Sequence, residues 1–235
     1  MTEASGARGE ALSVAVIMDG NGRWAKARGL SVAEGHRAGT RALRHTVEAA
    51  IELGLGSLVV YGFSTENWAR PADEVSTLME ILDETIDREL PDLARQGVRT
   101  RFIGRRDRVS AALSAKMTAL EAETADRSTL LLWIAFDYGG RAEIVEAARR
   151  IVADGLSADE VDEEAFARRL YAPALPELDL LVRTSGELRL SNFMLWQAAY
   201  AELVFTETLW PDFGMDDLRS ALDEYASRQR RFGAR

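Results

Sequence analysis

The chain contains no cysteine among its 235 residues. That excludes disulfide staples, thiolate metal sites and a cysteine nucleophile, and it fits a reducing compartment. Histidine is almost as scarce. Only His36 and His45 are present, too few for a multi-histidine metal site within one chain. The longest strongly apolar stretch, Leu130 to Phe136, falls far short of the ~20 residues that span a bilayer. The opening MTEASGARGEAL has small and acidic residues and no apolar centre, so it reads as neither a signal peptide nor an anchor. Residues 1–12 are therefore expected to form a flexible tail before one domain over 13–235, with a cytoplasmic location. No Pro/Gly/Ser-rich linker or long-period repeat divides the chain. Positive charge is in deficit, with 29 Lys and Arg against 38 Asp and Glu and a formal net charge of −9. A diffuse acid excess argues against general nucleic-acid binding, because nothing would neutralise the phosphates.

What is present is a core-forming composition, 47% hydrophobic, in which short β-rich runs alternate with helical patterns. Strands are predicted over 13–18, 57–63, 98–103, 130–136, 179–183 and 202–205. Val75, Leu78, Met79, Leu82, Ile86, Leu90 and Leu93 recur at spacings of three and four, the stripe of one amphipathic helix. Leu43, Val47, Ala50 and Ile51 give a second stripe, and a last helix follows Asp216. Apolar strands separated by helices imply a single-domain α/β fold with a central, mostly parallel sheet flanked by helices. Ligands collect at the carboxyl ends of such strands.

Three strand ends carry chemistry. After the first strand comes Asp19-Gly20-Asn21-Gly22-Arg23-Trp24, where a tight turn can cradle phosphate oxygens and Arg23 adds a planar fork. Asp19 is a hard carboxylate placed to hold Mg²⁺ with a substrate phosphate. His36, at the expected start of a helix, can hydrogen-bond an anion there, whereas His45 reads as structural. After the second strand, Ser64-Thr65-Glu66-Asn67-Trp68-Ala69-Arg70-Pro71 groups polar side chains suited to lining a cleft. After the fifth, Arg183, Arg189 and Ser191 fall within nine positions and form a cradle for a second anion. Glu202, further on, is a second carboxylate able to reach a cation.

Six stretches in order, MDGNGRWA, GHRAG, YGFSTENWARP, FDYGGR, VRTSGELRLSNF and ELVFTETLWPDF, closely resemble the cis-prenyltransferases, the undecaprenyl diphosphate synthase family. The final Arg230-Arg231-Phe232-Gly233 is similar to that family's C-terminus. The resemblance implies a homodimeric α/β enzyme with a six-stranded sheet and a hydrophobic tunnel. It would condense isopentenyl diphosphate with an allylic diphosphate, typically farnesyl or geranyl diphosphate, forming cis double bonds. Carried over, Asp19 is the Mg²⁺-associated catalytic carboxylate. Gly20, Asn21, Gly22, Arg23 and His36 hold the allylic diphosphate beside Trp24. Ser64, Thr65, Glu66, Trp68 and Arg70 belong to the cleft, and Asn67 is assigned proton acceptance. Arg183, Arg189, Leu190 and Ser191 bind isopentenyl diphosphate, and Glu202 is a further Mg²⁺ site. A neutral amide has no useful basicity, so Asn67 is expected to position groups while a diphosphate oxygen or carboxylate takes the proton. Two positions depart from the family pattern: Val32 stands where relatives often have arginine, and Asp137 where many have asparagine. Gly62 matches a position where small residues leave room for the product, and Leu130 one at the tunnel's far end. Product release implies transient contact with a membrane surface. A head-to-middle prenyl coupling enzyme and a non-catalytic scaffold subunit remain open as alternatives.

Overall fold

The computed structural model describes residues 11–228. Residues 1–10 of the expected tail, and the Arg230–Gly233 segment, lie outside the described residues. Leu12, at the end of that tail, is tied down: its carbonyl accepts the Gly56 and Ser57 N–H groups at 3.0 and 3.3 Å.

Six strands form, β1 (Ser13–Ile17), β2 (Ser57–Ser64), β3 (Val98–Ile103), β4 (Leu130–Tyr138), β5 (Leu180–Arg183) and β6 (Glu202–Phe205). Their ends lie within two residues of the sequence expectation. They pair in the order β3-β4-β2-β1-β5-β6, and every neighbouring pair is parallel. All six carboxyl ends therefore share one edge. Moving outward from β1, the chain builds first toward β2 and then, on the other side, toward β5. The β1/β5 junction is thus the topological switch point, where open α/β sheets place ligands.

Helices α1 (Asn21–Ala27), α2 (Val32–Glu52), α3 (Ala72–Arg88), α4 (Leu90–Arg95), α5 (Ala111–Glu123), α6 (Gly140–Ala153), α7 (Glu163–Ala167) and α8 (Met215–Ser227) complete the fold. The single helix expected over Val75–Leu93 is divided at Glu89, where Pro91 in the first turn of α4 supplies no N–H to continue the ladder. The stripe divides with it. Ile86, Leu90 and Leu93 enter the core, while Leu78, Ile81 and Leu82 face a cavity.

Alternation along the strands separates two cores. Val14, Val16, Leu58, Val60, Leu132, Ile134, Leu180 and Val182 face one side, with α2, α4, α5 and α8 contributing to the same core. Ala15, Ile17, Val59, Trp133, Ala135 and Leu181 face the other, together with Phe193 and Met194. Register shifts on either side of Phe63 interrupt the β2–β4 ladder beside Gly62. This bulge returns Phe63 to the same core as Val60 and leaves Gly62 bordering the cavity.

Candidate active site

A cavity of about 940 Å³ opens at the carboxyl edge of the sheet and runs between its first face and α2 and α3. Its polar end gathers residues from all three strand-end clusters: Asp19 to Arg23 and His36, then Ser64, Glu66, Asn67 and Arg70, then Arg183, Arg189 and Ser191. Leu43, Gly62, Leu78, Ile81, Leu82, Ile134 and Phe136 line its apolar part.

The switch point is bolted together by one hydroxyl. Thr184 Oγ1 accepts the Asp19 N–H at 2.9 Å and donates to the Asp19 carbonyl at 2.6 Å. Beside it, Arg183 Nη2 donates to Asp19 Oδ2 at 2.9 Å, while Nη1 donates to the Arg189 carbonyl and Ser191 Oγ at 2.5 and 2.6 Å. The Arg183 side chain is only 4% exposed, and Asp19 remains 33% open to the cavity. Burial works to raise the Asp19 pKa. Hydrogen bonds from Arg183 and Ser185, with the charges of Arg183 and Arg23, outweigh it and hold the carboxyl below its ordinary value. Asp19 is therefore an ionised carboxylate at neutral pH.

The glycine-rich turn opens a helix. Gly20, at φ 112°, caps α1, so the first N–H groups of that helix lack intrahelical partners at the cavity edge. Only glycine fits α2 where it crosses this turn, because a Cβ on Gly35 would lie 2.4 Å from the Asn21 carbonyl oxygen. Arg23 reaches the third cluster, donating to Ser185 O at 3.0 Å and Ser185 Oγ at 2.5 Å. Glu187 lies 3.8 Å from Arg23 and 2.5 Å from Arg189, a counter-ion between the two cradles that sequence reasoning missed. His36 sits one turn inside α2, because Ser31 caps that helix by accepting the Glu34 N–H. Its pKa is depressed by burial first and by the nearby Arg70 charge second, so His36 is neutral at pH 7.

At the second cluster, Asn67 Oδ1 accepts the Ser64 N–H at 2.9 Å. A backbone donor fixes which end of the amide is oxygen, so Asn67 has its NH₂ left to offer. Glu66 accepts from Asn192 Nδ2 at 2.8 Å, and its pKa falls despite burial because Asn192, its own backbone N–H and the Thr65 and Ser64 hydroxyls bond the charged form. Asn192 accepts the Arg141 N–H at 2.8 Å and thereby joins this cluster to α6. Ser191 and Asn192, at φ 47° and 62°, are left-handed in succession, a strain retained where surrounding contacts fix the loop.

The prenyltransferase family model, that of undecaprenyl diphosphate synthase, matches residues 17–233. The chain belongs to this family. It is 49% identical over 228 residues to an isoprenyl transferase of Caulobacter vibrioides, covering 95% of this chain and 88% of that one. It is 48% identical over 224 residues to a farnesyl-diphosphate-specific ditrans,polycis-undecaprenyl-diphosphate synthase of Xanthomonas axonopodis, covering 94% and 87%. The structure of lavandulyl diphosphate synthase from Lavandula x intermedia, in complex with dimethylallyl diphosphate, superposes with a TM-score of 0.92 at 37% identity, covering 95% and 98%. The chain is accordingly a transferase of prenyl groups.

Not every residue taken from the cis-prenyltransferase pattern reaches the cavity. Trp24 donates its indole N–H to Asp212 at 2.7 Å and packs under Arg28, bracing α1. Thr65 bonds Glu66, Trp68 turns toward Asp137, and Leu190 packs on the second core. Glu202 differs most. It opens β6 in register with Leu180, whereas Phe205 is in register with Arg183, and its carboxylate accepts from Arg228 at 2.8 Å. Three strand steps of ~3.3 Å separate it from the carboxyl edge, so one chain does not bring Glu202 beside Asp19. Leu130, expected at the tunnel's far end, is a core residue outside the cavity lining. Val32 borders the cavity, with Leu30 exposed nearby. Among the described residues no helix is long and apolar enough to cross a membrane.

Proposed function

We propose that this prenyltransferase condenses isopentenyl diphosphate onto an allylic diphosphate, farnesyl or geranyl, to build a Z-polyprenyl diphosphate. The supporting observation is the Arg183–Asp19 pair, which fuses two strand-end anion cradles at the mouth of one apolar cavity. The allylic diphosphate is assigned to Gly20–Arg23 and His36, and isopentenyl diphosphate to Arg183, Arg189 and Ser191. Residues 13–235 are taken as the domain responsible, acting as a cytoplasmic homodimer that touches the membrane surface when product leaves.

Holding both substrates converts a bimolecular encounter into a positioned one. The allylic C–O bond breaks, with its electron pair leaving on the diphosphate, while the isopentenyl double bond supplies the pair that forms the new C–C bond. Arg23 and the α1 N–H groups stabilise the leaving charge. Loss of a proton from the condensed cation then forms the cis alkene. Asn67 has its amide oxygen engaged by Ser64, and the depressed pKa of Glu66 makes it a weak base. The proton is therefore assigned to a diphosphate oxygen.

Among the described residues no group of three His, Asp or Glu side chains could hold a metal ion unaided. A single ionised carboxylate beside a diphosphate cradle does fit Mg²⁺, which usually binds through one or two carboxylates plus substrate phosphates. Asp19 would hold it, and the ion would neutralise charge developing on the leaving diphosphate. Glu202 is the proposed position of a further ion.

Incubation with Mg²⁺, farnesyl diphosphate and labelled isopentenyl diphosphate, followed by mass spectrometry, tests this function. The expected product carries several labelled isoprene units. Likeness to a lavandulyl diphosphate synthase holding dimethylallyl diphosphate supports a second reading, head-to-middle coupling. Unlabelled product from allylic diphosphate alone would favour that reading, and no turnover with any starter would favour a scaffold subunit.

Two variants probe the two ends of the cavity. Arg189→Ala, at a side chain 61% exposed, is expected to raise the KM for isopentenyl diphosphate while leaving the allylic KM nearly unchanged. A charge-assisted hydrogen bond contributes about 1.5–3 kcal/mol, and this exposure places the effect near the lower end, roughly tenfold. Equal rises in both constants would mean the cradles are exchanged. Gly62→Leu is expected to shorten the products, since a Cβ at Gly62 would sit 3.4 Å from Ile134 and a longer side chain would extend into the cavity. An unchanged length distribution would place the prenyl tail elsewhere.

A further inference from the structure

We propose that Asp137, held by Arg108, is a positioning residue: through the indole N–H of Trp68 it fixes the turn that presents Glu66 and Asn67 to the cleft. This inference rests on the function proposed above, because the turn matters only if that cleft is where condensation occurs.

Asp137 lies near the end of β4, wholly buried, with its backbone left-handed at φ 47°. A non-glycine residue there costs roughly 1–2 kcal/mol, so its surroundings must hold it in place. Its carbonyl accepts the Arg105 N–H at 3.1 Å. Its carboxylate accepts from Arg108 Nε at 2.8 Å, from Arg108 Nη2, and from Trp68 Nε1 at 2.9 Å. A buried carboxylate with one guanidinium and one indole donor is satisfied, and neither donor is easily given up. Arg108 also lies over the Trp68 ring at 5.0 Å, and Phe63 meets that ring edge-on at 5.1 Å. Trp68 is therefore clamped on several sides while contributing nothing to the cavity lining.

What the clamp holds is a weak element. Thr65–Ala69 is a short, five-residue 3₁₀ helix, whose hydrogen-bond geometry is poor. Ser64 ties Asn67 at the start of the turn, and Asn192 ties Glu66 across the cleft. Beyond Asn67, the Trp68 indole anchors the turn to the sheet. Slackening that anchor displaces Asn67 without touching Arg183 or Arg189, so turnover suffers more than substrate binding.

The test is a double-mutant cycle of Asp137→Ala and Trp68→Phe, with Asp137→Asn alongside, each checked for folding by thermal melting. Trp68→Phe keeps the ring against Phe63 and removes only the N–H donor. Each single variant is expected to lower kcat by roughly 10- to 100-fold with both KM values nearly unchanged. The double variant should be no worse than the worse single, because both break one linkage. Asp137→Asn keeps an oxygen acceptor in a residue that tolerates the left-handed region and should stay within about threefold of the parent. Multiplicative losses, full kcat in folded Trp68→Phe, or Asp137→Asn as impaired as Asp137→Ala would overturn the proposal. Fluorine NMR of fluorotryptophan-labelled protein reads the anchor without turnover. The Trp68 line, assigned with Trp68→Phe, should be sharp in the parent and broadened in Asp137→Ala, and an identical line in both would overturn the anchor. A parent inactive with every starter would contradict the function proposed above while leaving this fluorine result to judge the anchor.

Discussion

Asp19→Asn is expected to lower kcat by on the order of 10³-fold in saturating Mg²⁺, because it removes charge stabilisation worth several kcal/mol of the barrier. The side chain keeps its size and one oxygen, so Arg183 retains an acceptor where Asp19 Oδ2 stood at 2.9 Å. Asp19→Ala is the poorer experiment. Asp19 is the counter-charge of a guanidinium that is only 4% exposed. Stripping the partner from a buried ion costs up to about 3–5 kcal/mol, and the remaining bonds to Arg189 O and Ser191 Oγ offset part of that. Steady-state kinetics with a melting curve separate the outcomes. Substantial residual activity in well-folded Asp19→Asn would remove the carboxylate from the chemistry.

Arg183→Lys carries the second large effect. Arg183 serves Asp19, the Arg189 carbonyl and Ser191 Oγ at once through a planar fork. Lysine is a point charge on a flexible stem and cannot hold all three in that geometry. kcat/KM is expected to fall by about 10²- to 10³-fold, the range for removing one preorganised donor from developing charge. Combined with Asp19→Asn, the losses should be strongly non-additive, since both residues belong to one linkage. Independent, multiplicative losses would show that the two cradles work separately.

The sequence carried the sheet almost entirely, because buried parallel strands read as apolar runs whose ends are marked by Asp19, Ser64 and Arg183. It also carried the location of the candidate site, since those residues close or closely follow their strands and parallel strands put all such ends on one edge. What it could not carry is contact across the chain. Thr184 closes on Asp19 across 165 residues, and Glu187 faces Arg23 through a loop whose left-handed residues give no periodic signal. Glu202 opens its strand where Arg183 closes its own, so within one chain it lies away from Asp19, a separation that strand ends read one at a time do not reveal. Trp68 shows a subtler limit. The family resemblance implies a place for it in the cleft, whereas its indole turns inward to a carboxylate on a different strand.

The most direct measurement is a crystal structure with isopentenyl diphosphate, a non-cleavable thio analogue of farnesyl diphosphate and Mg²⁺. Both diphosphates should lie side by side against Asp19, one over the first turn of α1 and the other on Arg183 and Arg189, with the prenyl tail running past Gly62 toward Ile81. Diphosphates in separate cavities, or a tail lying outside along the surface, would contradict it.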